Sequence, residues 1–243
     1  MLFDRKKYKS FARIQLHNRF FVPAVITVIS LLVTWALRVP TIFNAFDLVQ
    51  AIINNAPFAN LYAFQNFVLE FKDATVSKIA EWLLFFVEAI FLLAHIFVYL
   101  KMSHSADPIS FDSFFEGMSL WFRACIGAIY KQFFLALWTL LFFFPGLVKY
   151  YAYSQMFFVL AEFPHISISK ALSISKKITY GFKMDLFVLD LSFLAWYLLS
   201  LITGGIALIW ILPYVQMTKT NAYHALMKNA FETNMLSRED LEK

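Results

Sequence analysis

The stretch that most constrains this chain is residues 185–214, whose only charged residues are Asp185 at its start and Asp190 inside it. A transmembrane helix needs about 20 mostly apolar residues. The stretch therefore holds two short spans if Gly204 and Gly205 break it in the middle. The whole sequence is 60% hydrophobic and 15% charged, whereas soluble domains are about 25% charged. We therefore predict an all-α fold, a polytopic bundle of membrane helices.

Six predicted spans, arranged as three hairpins, account for the apolar segments. The first follows a basic N-terminal segment and has the length of a signal-peptide core. It lacks a small-residue cleavage site, so we interpret it as an uncleaved anchor. The predicted spans are residues 21–37, 79–100, 113–144, 147–161, 186–202 and 206–217.

The distribution of positive charge predicts the orientation. Of the 21 lysine and arginine residues, 17 lie in segments that this topology places inside and four in segments outside. Cytoplasmic loops carry an excess of Lys and Arg, so both termini are predicted to be cytoplasmic. Residues 39–77 then form an extracytoplasmic loop with short interfacial helices broken near Pro57. We predict one membrane domain, residues 1–225, and a cytoplasmic tail, residues 226–243.

Short local signals predict where helices begin and where they turn. Ser113 and Glu116 have the spacing of a capping box, so a helix is expected to begin there. Two glycine-containing pairs predict tight outer turns, and short turns of this kind join antiparallel neighbours. The pairs are Pro145-Gly146 and Gly204-Gly205, and the resulting hairpins are residues 113–161 and 185–225.

Residues 163–183 form a basic amphipathic segment. Leu172, Ser175 and Ile178 fall on one face of a helix, with Ile168 one turn earlier, and Gly181 follows as a C-terminal cap. A helix of this kind beside membrane spans predicts contact with anionic lipids of the inner leaflet rather than with nucleic acid. The lysines expected to make this contact are Lys170, Lys176, Lys177 and Lys183.

Five ionisable residues form a predicted intramembrane polar cluster. Glu81, Glu88 and His95 recur every seven residues, so they share one stripe of the second span, because a helix drifts only about 20° per heptad. Ionised groups are costly in hydrocarbon and should face helices, water or each other. Depth permits Glu81 to pair with Lys149 and His95 to pair with Asp190. Glu88 then lacks a cationic partner, and we expect it to be protonated or to line a cavity.

This polar cluster has two interpretations. In the first, its members hydrogen-bond to one another and fix the packing of the helices. In the second, they form a ligand site or a proton pathway, as intramembrane acids often do. No substrate motif accompanies them, so we favour the first interpretation.

Recognisable enzyme signatures are missing from the sequence. No two histidines have the spacing of an H-E-x-x-H zinc motif, and neither a G-x-S-x-G elbow nor a phosphate-binding G-x-x-x-x-G-K loop occurs. Cys125 is the single cysteine, so neither an intramolecular disulfide nor a thiolate metal cluster is expected. We therefore predict a protein that is not an enzyme, with no cofactor and no metal.

The second half of the chain carries a series of unusual motifs in a characteristic order. It resembles a bacterial integral-membrane family, domain of unknown function 975, over residues 112–225. Its layout is also similar to membrane domains attached to some glycerophosphodiester phosphodiesterases, whose catalytic domain has no counterpart here. The resemblance implies a fold rather than an activity. The matching motifs are Leu137-Trp138 with Pro145-Gly146, the tyrosine-rich residues 150–153, and residues 171–181, 189–196 and 205–214.

These observations predict a multi-pass protein of the bacterial plasma membrane. We expect it to bind a lipid or another membrane protein in envelope maintenance, stress response or peptide-antibiotic immunity. The alternative is a small permease or an accessory transporter subunit that uses Glu88 and His95. The sequence predicts no nucleic-acid partner and leaves the oligomeric state open.

Overall fold

A computed structural model describes residues 3–55 and 75–241, with side chains for residues 3–38, 81–142 and 144–241. Within these ranges every regular element is helical, which confirms the all-α prediction. The chain divides into two compact units. The first combines Met1–Val28 with Ala89–Lys243, and the second is Ile29–Glu88.

Short turns separate most of the helices. Their bounds, in chain order, are α1 Arg5–Leu16, α2 Phe21–Asn55, α3 Thr75–His104, α4 Asp112–Met118, α5 Trp121–Leu141, α6 Phe143–Ala152, α7 Met156–Glu162, α8 Ile168–Ile178, α9 Lys183–Leu191, α10 Leu194–Ile202 and α11 Leu208–Glu232. A 3₁₀ turn, Glu239–Leu241, follows.

Four segments of the described chain are long and apolar enough to cross a membrane. They coincide with the first, second, third and fifth predicted spans. The remaining two predicted spans are not among these segments. Residues 147–161 are divided between α6 and α7, and residues 208–217 begin α11, a helix of 25 residues whose later part is polar. The four candidate segments are Phe21–Arg38, Glu81–His104, Trp121–Leu141 and Lys183–Ile202.

The first apolar helix is longer than predicted. We expected it to end near Pro40, but α2 continues without interruption to Asn55. Proline removes one backbone donor, and the apolar residues after it keep a helical spacing, so the chain does not turn there. The part of the predicted outer loop before residue 56 is therefore helical. The predicted break near Pro57 lies outside the described residues.

The helix expected over residues 113–144 is divided by a turn at Ser119 and Leu120. A helix does begin at Asp112, but the predicted capping box is wrong, because Phe111 is the N-cap and no side chain caps this end. Glu116 instead forms an ion pair of 2.8 Å with Lys101. Its carboxylate is therefore engaged by a cation of α3.

The turn predicted at Pro145-Gly146 lies earlier, at Phe142, whose extended backbone separates α5 from α6. Pro145 sits in the first turn of α6, where the missing N–H is not needed. Gly146 packs against α5: a β-carbon added to it would lie 2.5 Å from Thr139 Oγ1. The pair therefore allows close packing of the hairpin instead of forming its turn.

The turn predicted at Gly204-Gly205 is confirmed. Both glycines have positive φ, 59° and 90°, and they separate α10 from α11. Other residues rarely adopt this backbone conformation, so the two glycines permit the reversal. The two helices pack against each other beyond the turn.

The N-terminal helix α1 packs along α11, although its sequence is rich in basic residues. Tyr8, Ala12 and Leu16 form its buried face. Asn221 of α11 donates a hydrogen bond of 2.8 Å to Gln15 Oε1. Polar as well as apolar contacts therefore hold the two ends of the chain together.

A helix within the predicted amphipathic segment is confirmed as α8, with Ser167 as its N-cap, and its position at the membrane surface stays a prediction. Gly181 has the positive φ expected of a glycine that follows a helix. The apolar face of α8 is buried within the protein, and α7 packs against this helix. Its buried residues are Ala171, Leu172, Ile174, Ser175 and Ile178.

Candidate functional site

The two glutamates of the predicted polar cluster lie in the unit Ile29–Glu88. Glu88 was expected to lack a cationic partner, and this is wrong: Arg38 Nη2 lies 2.5 Å from its Oε1. Arg38 follows the predicted first span, and its long side chain reaches beyond its own backbone position to Glu88. Glu88 is therefore a hydrogen-bonded member of an ion pair.

The predicted pairing of His95 with Asp190 is also wrong. Lys219 Nζ lies 2.9 Å from Asp190 Oδ1, so Asp190 is paired with a lysine of α11 and not with His95. The His95 ring stacks near Tyr99 and meets Phe114 edge to face. Matching residues by depth missed Lys219, because that lysine lies beyond the end of the predicted sixth span.

Lys149 lies over an aromatic ring. Its Nζ is 4.1 Å from the centre of the Trp138 ring, a cation–π contact that joins α6 to α5. Glu81 is exposed in the other unit. The proposed pairing of Glu81 with Lys149 stays a prediction.

A cavity of about 140 Å³ lies among α3, α5, α6, α7, α9 and α11, and the Asp190–Lys219 pair lines it. Gln155 and Gln216 also line it. Gln155 Oε1 and Gln216 Nε2 are buried and have no hydrogen-bond partner among the described residues. Beside this cavity, one amide therefore holds a buried acceptor and the other a buried donor whose hydrogen-bonding capacity is unused.

Lys131 supplies a further charge at this cavity. Its Nζ lies 5.7 Å from the centre of the Tyr150 ring and 5.5 Å from that of Phe157. It forms no ion pair with any residue whose side chain is described. Because Asp190 and Lys219 balance each other, Lys131 leaves the cavity with a net positive charge.

The sequence contains a signal for Lys131. This lysine is the only charged residue in residues 124–148. The predicted third span, residues 113–144, is longer than the apolar core of a bilayer, so Lys131 is counted there with the cytoplasmic lysines. The observed turn at Leu120 shifts the apolar helix to Trp121–Leu141, and Lys131 lies at its midpoint.

The four lysines predicted to contact lipid have separate environments. Lys177 forms a salt bridge of 3.0 Å with Asp240, and Lys176 Nζ lies 5.4 Å from the centre of the Tyr153 ring. Lys183 begins α9, and Lys170 lies in the first turn of α8. Lys176 and Lys177 therefore also have partners within the protein.

A second cluster joins His104, Glu162 and His224, which the sequence analysis did not single out. His104 Nε2 lies 3.5 Å from Glu162 Oε1, and Tyr223 donates a hydrogen bond from its hydroxyl to Glu162 Oε2. Burial, with the nearby His104, lowers the pKa of His224 to about 4. Burial raises the pKa of Glu162, and the hydrogen bond from Tyr223 opposes that shift.

Comparison with known proteins confirms the family resemblance over part of the chain. A family described as "Protein of unknown function (DUF975)" has a model that matches residues 145–230. This segment contains Asp190 and Lys219 but not Lys131. No curated protein matches the chain, and no solved structure matches it.

Proposed function

We propose that this chain is a multi-pass protein of the bacterial plasma membrane, with six spans and both termini in the cytoplasm. The four apolar helices support a membrane location. The excess of lysine and arginine in the predicted inner segments supports the orientation. The short segments 147–161 and 206–217 complete the six spans by crossing the bilayer alongside longer neighbours.

The function we propose is binding of an anionic lipid through its headgroup, without catalysis. Lys131 carries this proposal, because it is a cation at the cavity without a carboxylate partner among the residues described with side chains. An ionised group in the middle of an apolar helix is costly and marks a functional site by default. A phosphate group beside Lys131 would neutralise the remaining positive charge of the cavity.

Two amide atoms without partners, Gln155 Oε1 and Gln216 Nε2, suit the rest of the ligand. Gln216 Nε2 would donate to a phosphate or ester oxygen, and Gln155 Oε1 would accept from a headgroup hydroxyl or amine. The cavity holds only a few water-sized groups at about 30 Å³ each. It therefore has room for a phosphate group and its immediate substituents and not for acyl chains.

The test is native mass spectrometry of the purified protein in mild detergent with added phosphatidylglycerol or phosphatidylcholine. We expect the wild type to retain phosphatidylglycerol in preference to phosphatidylcholine. Lys131→Gln should abolish this preference, since the amide keeps polarity and removes the charge. Lys228→Gln is the matched control, because Lys228 is exposed and paired with Glu232 away from the cavity.

Two results would contradict lipid-headgroup binding. One is equal retention of the two lipids by the wild type. The other is an unchanged preference in a Lys131→Gln protein that elutes as the wild type does. Co-purification of a protein that depends on Lys131 would instead favour a membrane-protein partner.

The alternative function, transport through Glu88 and His95, has less support. Glu88 is paired with Arg38, and His95 packs among aromatic rings. If Glu88 carried protons, Glu88→Gln should abolish the cellular phenotype while leaving expression and folding intact. We expect the substitution to be nearly silent, because the amide keeps the shape and much of the hydrogen bonding.

A further inference from the structure

His104, Glu162 and His224 are not among the residues that line the cavity beside Lys131. All three are residue types that ligate metals. One nitrogen from each histidine and one oxygen of Glu162 lie within 4.8 Å of one another. The three residues come from the end of α3, the end of α7 and the middle of α11. The sequence gives no spacing signal for such a group, because 58 and 62 residues separate its successive members.

From this convergence we infer that His104, Glu162 and His224 bind a divalent transition-metal ion, with Zn²⁺ as the best match. Two imidazoles and one carboxylate are a donor set that zinc uses in proteins, and three protein ligands leave one position open. This inference is independent of the lipid-headgroup function.

The hydrogen bonds of Ser103 prepare His224 as a ligand. The Ser103 hydroxyl lies 2.6 Å from the Leu100 carbonyl oxygen, which can only accept, so its single proton is used there. The same hydroxyl lies 2.7 Å from His224 Nε2 and must accept from it. This arrangement assigns the His224 proton to Nε2, so Nδ1 would be the nitrogen of His224 that binds a metal. Ligating histidines in proteins are commonly oriented in this way.

Tyr223 prepares Glu162 in the same manner. Its hydroxyl donates to Glu162 Oε2, which favours the ionised carboxylate and leaves Oε1 facing His104. The Tyr223 ring stacks with Phe158, with the ring centres 5.1 Å apart, so its position is fixed by packing. Glu162 and His224 thus each have one atom hydrogen-bonded to a supporting side chain and another atom that can bind a metal.

His104 is more exposed than Glu162. Its side chain is 57% exposed, whereas that of Glu162 is 19% exposed. Bonds of about 2.1 Å to a tetrahedral ion place the ligand atoms about 3.4 Å apart. Rotation of the exposed His104 side chain can close the remaining distance. His104 also ends α3, where the partial negative charge of the helix terminus favours a cation.

Metal titration tests the inference directly. The protein is purified in detergent with a tag that lacks histidine, treated with a chelator, and titrated with Zn²⁺ against a chromogenic zinc indicator. We expect one tight site per chain. Addition of Co²⁺ should give the visible absorption of a low-coordinate cobalt site, and Zn²⁺ should remove that absorption by competition.

Substitutions assign the site to these residues. His104→Gln should eliminate the tight site, and its side chain is exposed enough for the fold to be retained. Tyr223→Phe and Ser103→Ala should each weaken zinc binding by about 10- to 100-fold, as loss of a supporting hydrogen bond does elsewhere. His17→Gln is the control, since His17 is an exposed histidine outside the cluster.

Thermal unfolding gives a second measurement that does not depend on the indicator. Zn²⁺ should raise the Tm of the wild type and of His17→Gln, because a ligand that binds the native state stabilises it. It should leave the Tm of His104→Gln unchanged. The inference is overturned if the wild type has no stoichiometric site, or if His104→Gln and His224→Gln bind zinc as the wild type does.

Discussion

Asp190 of α9 and Lys219 of α11 form an ion pair of 2.9 Å at the wall of the cavity. The two side chains are 32% and 35% exposed, so each charge is partly removed from water. The pair joins two helices that are separated in the chain by α10 and the Gly204-Gly205 turn. It therefore contributes to the packing of this hairpin as well as to the charge of the cavity.

Replacing Asp190 by Asn should lower the stability of the protein. The change leaves Lys219 partly buried without a counter-charge, and partial exposure reduces the cost to about 1–3 kcal/mol. Thermal unfolding in one detergent, followed by tryptophan fluorescence, measures it.

The double variant Asp190→Leu with Lys219→Met should recover part of the loss. Glu232→Gln, in the exposed pair with Lys228, should change stability by less than about 1 kcal/mol. Equal losses in Asp190→Asn and Glu232→Gln would contradict this role.

Gly117→Ala should destabilise the contact between α4 and α3. The added β-carbon would lie 2.7 Å from the Ala94 α-carbon and 3.0 Å from Phe97 Cβ. These atoms belong to the helix backbone or lie next to it, so the helices must separate, at a cost of about 1–3 kcal/mol. Gly127→Ala is the control, because its β-carbon would meet only the ends of side chains, of which Leu160 Cδ1 is the nearest at 2.9 Å. The same unfolding measurement applies, and a larger loss in Gly127→Ala would reverse the expectation.

The orientation predicts which sites an impermeant thiol reagent reaches in intact cells. In a Cys125→Ser background, Asn60→Cys should be labelled, since the predicted topology places this position outside. Ser169→Cys should be labelled only after the cells are opened, since that position is predicted to be cytoplasmic. The positive-inside distribution is the physical basis. The opposite labelling pattern would show that the membrane orientation is inverted.

Attachment of the C-terminal segment should depend on pH through Asp240. The Ser237 backbone N–H donates to its carboxylate, and Lys177 Nζ lies 3.0 Å away, so the pKa of Asp240 is lowered. Its contribution to stability is present above the unfolded pKa of about 4 and is lost as the pH falls through the lower folded value.

Hydrogen–deuterium exchange of residues 237–241 measures this attachment. At neutral pH, Asp240→Asn should exchange faster than the wild type, and the difference should disappear in acid once intrinsic exchange rates are corrected. Glu239→Gln, at the exposed neighbouring position, should exchange as the wild type does. An Asp240→Asn effect that persists unchanged in acid would rule out the charge of Asp240 as its cause.

Local physical chemistry made several features predictable from the sequence. The apolar run 185–214 required helices because backbone groups in an apolar environment must be hydrogen-bonded within their own segment. Gly204 and Gly205 indicated the turn because few other residues adopt positive φ. The spacing of Leu172, Ser175 and Ile178 indicated the buried face of α8.

Partners that are distant in sequence were not predictable in the same way. Matching residues by their depth along the spans predicted that Asp190 pairs with His95. The structure pairs Asp190 with Lys219, because α11 packs beside α9. Arg38 reaches Glu88 because its long side chain extends well beyond its own backbone position.

The sequence by itself determined the helical class, the apolar segments, the glycine turn and the family resemblance, which the family model confirms over residues 145–230, because each depends on residues close together in the chain. Only the tertiary structure decided which charges pair, that Lys131 borders a polar cavity, and that His104, Glu162 and His224 converge. Contacts between helices depend on crossing positions and side-chain reach. Neither quantity produces a periodic pattern in the sequence.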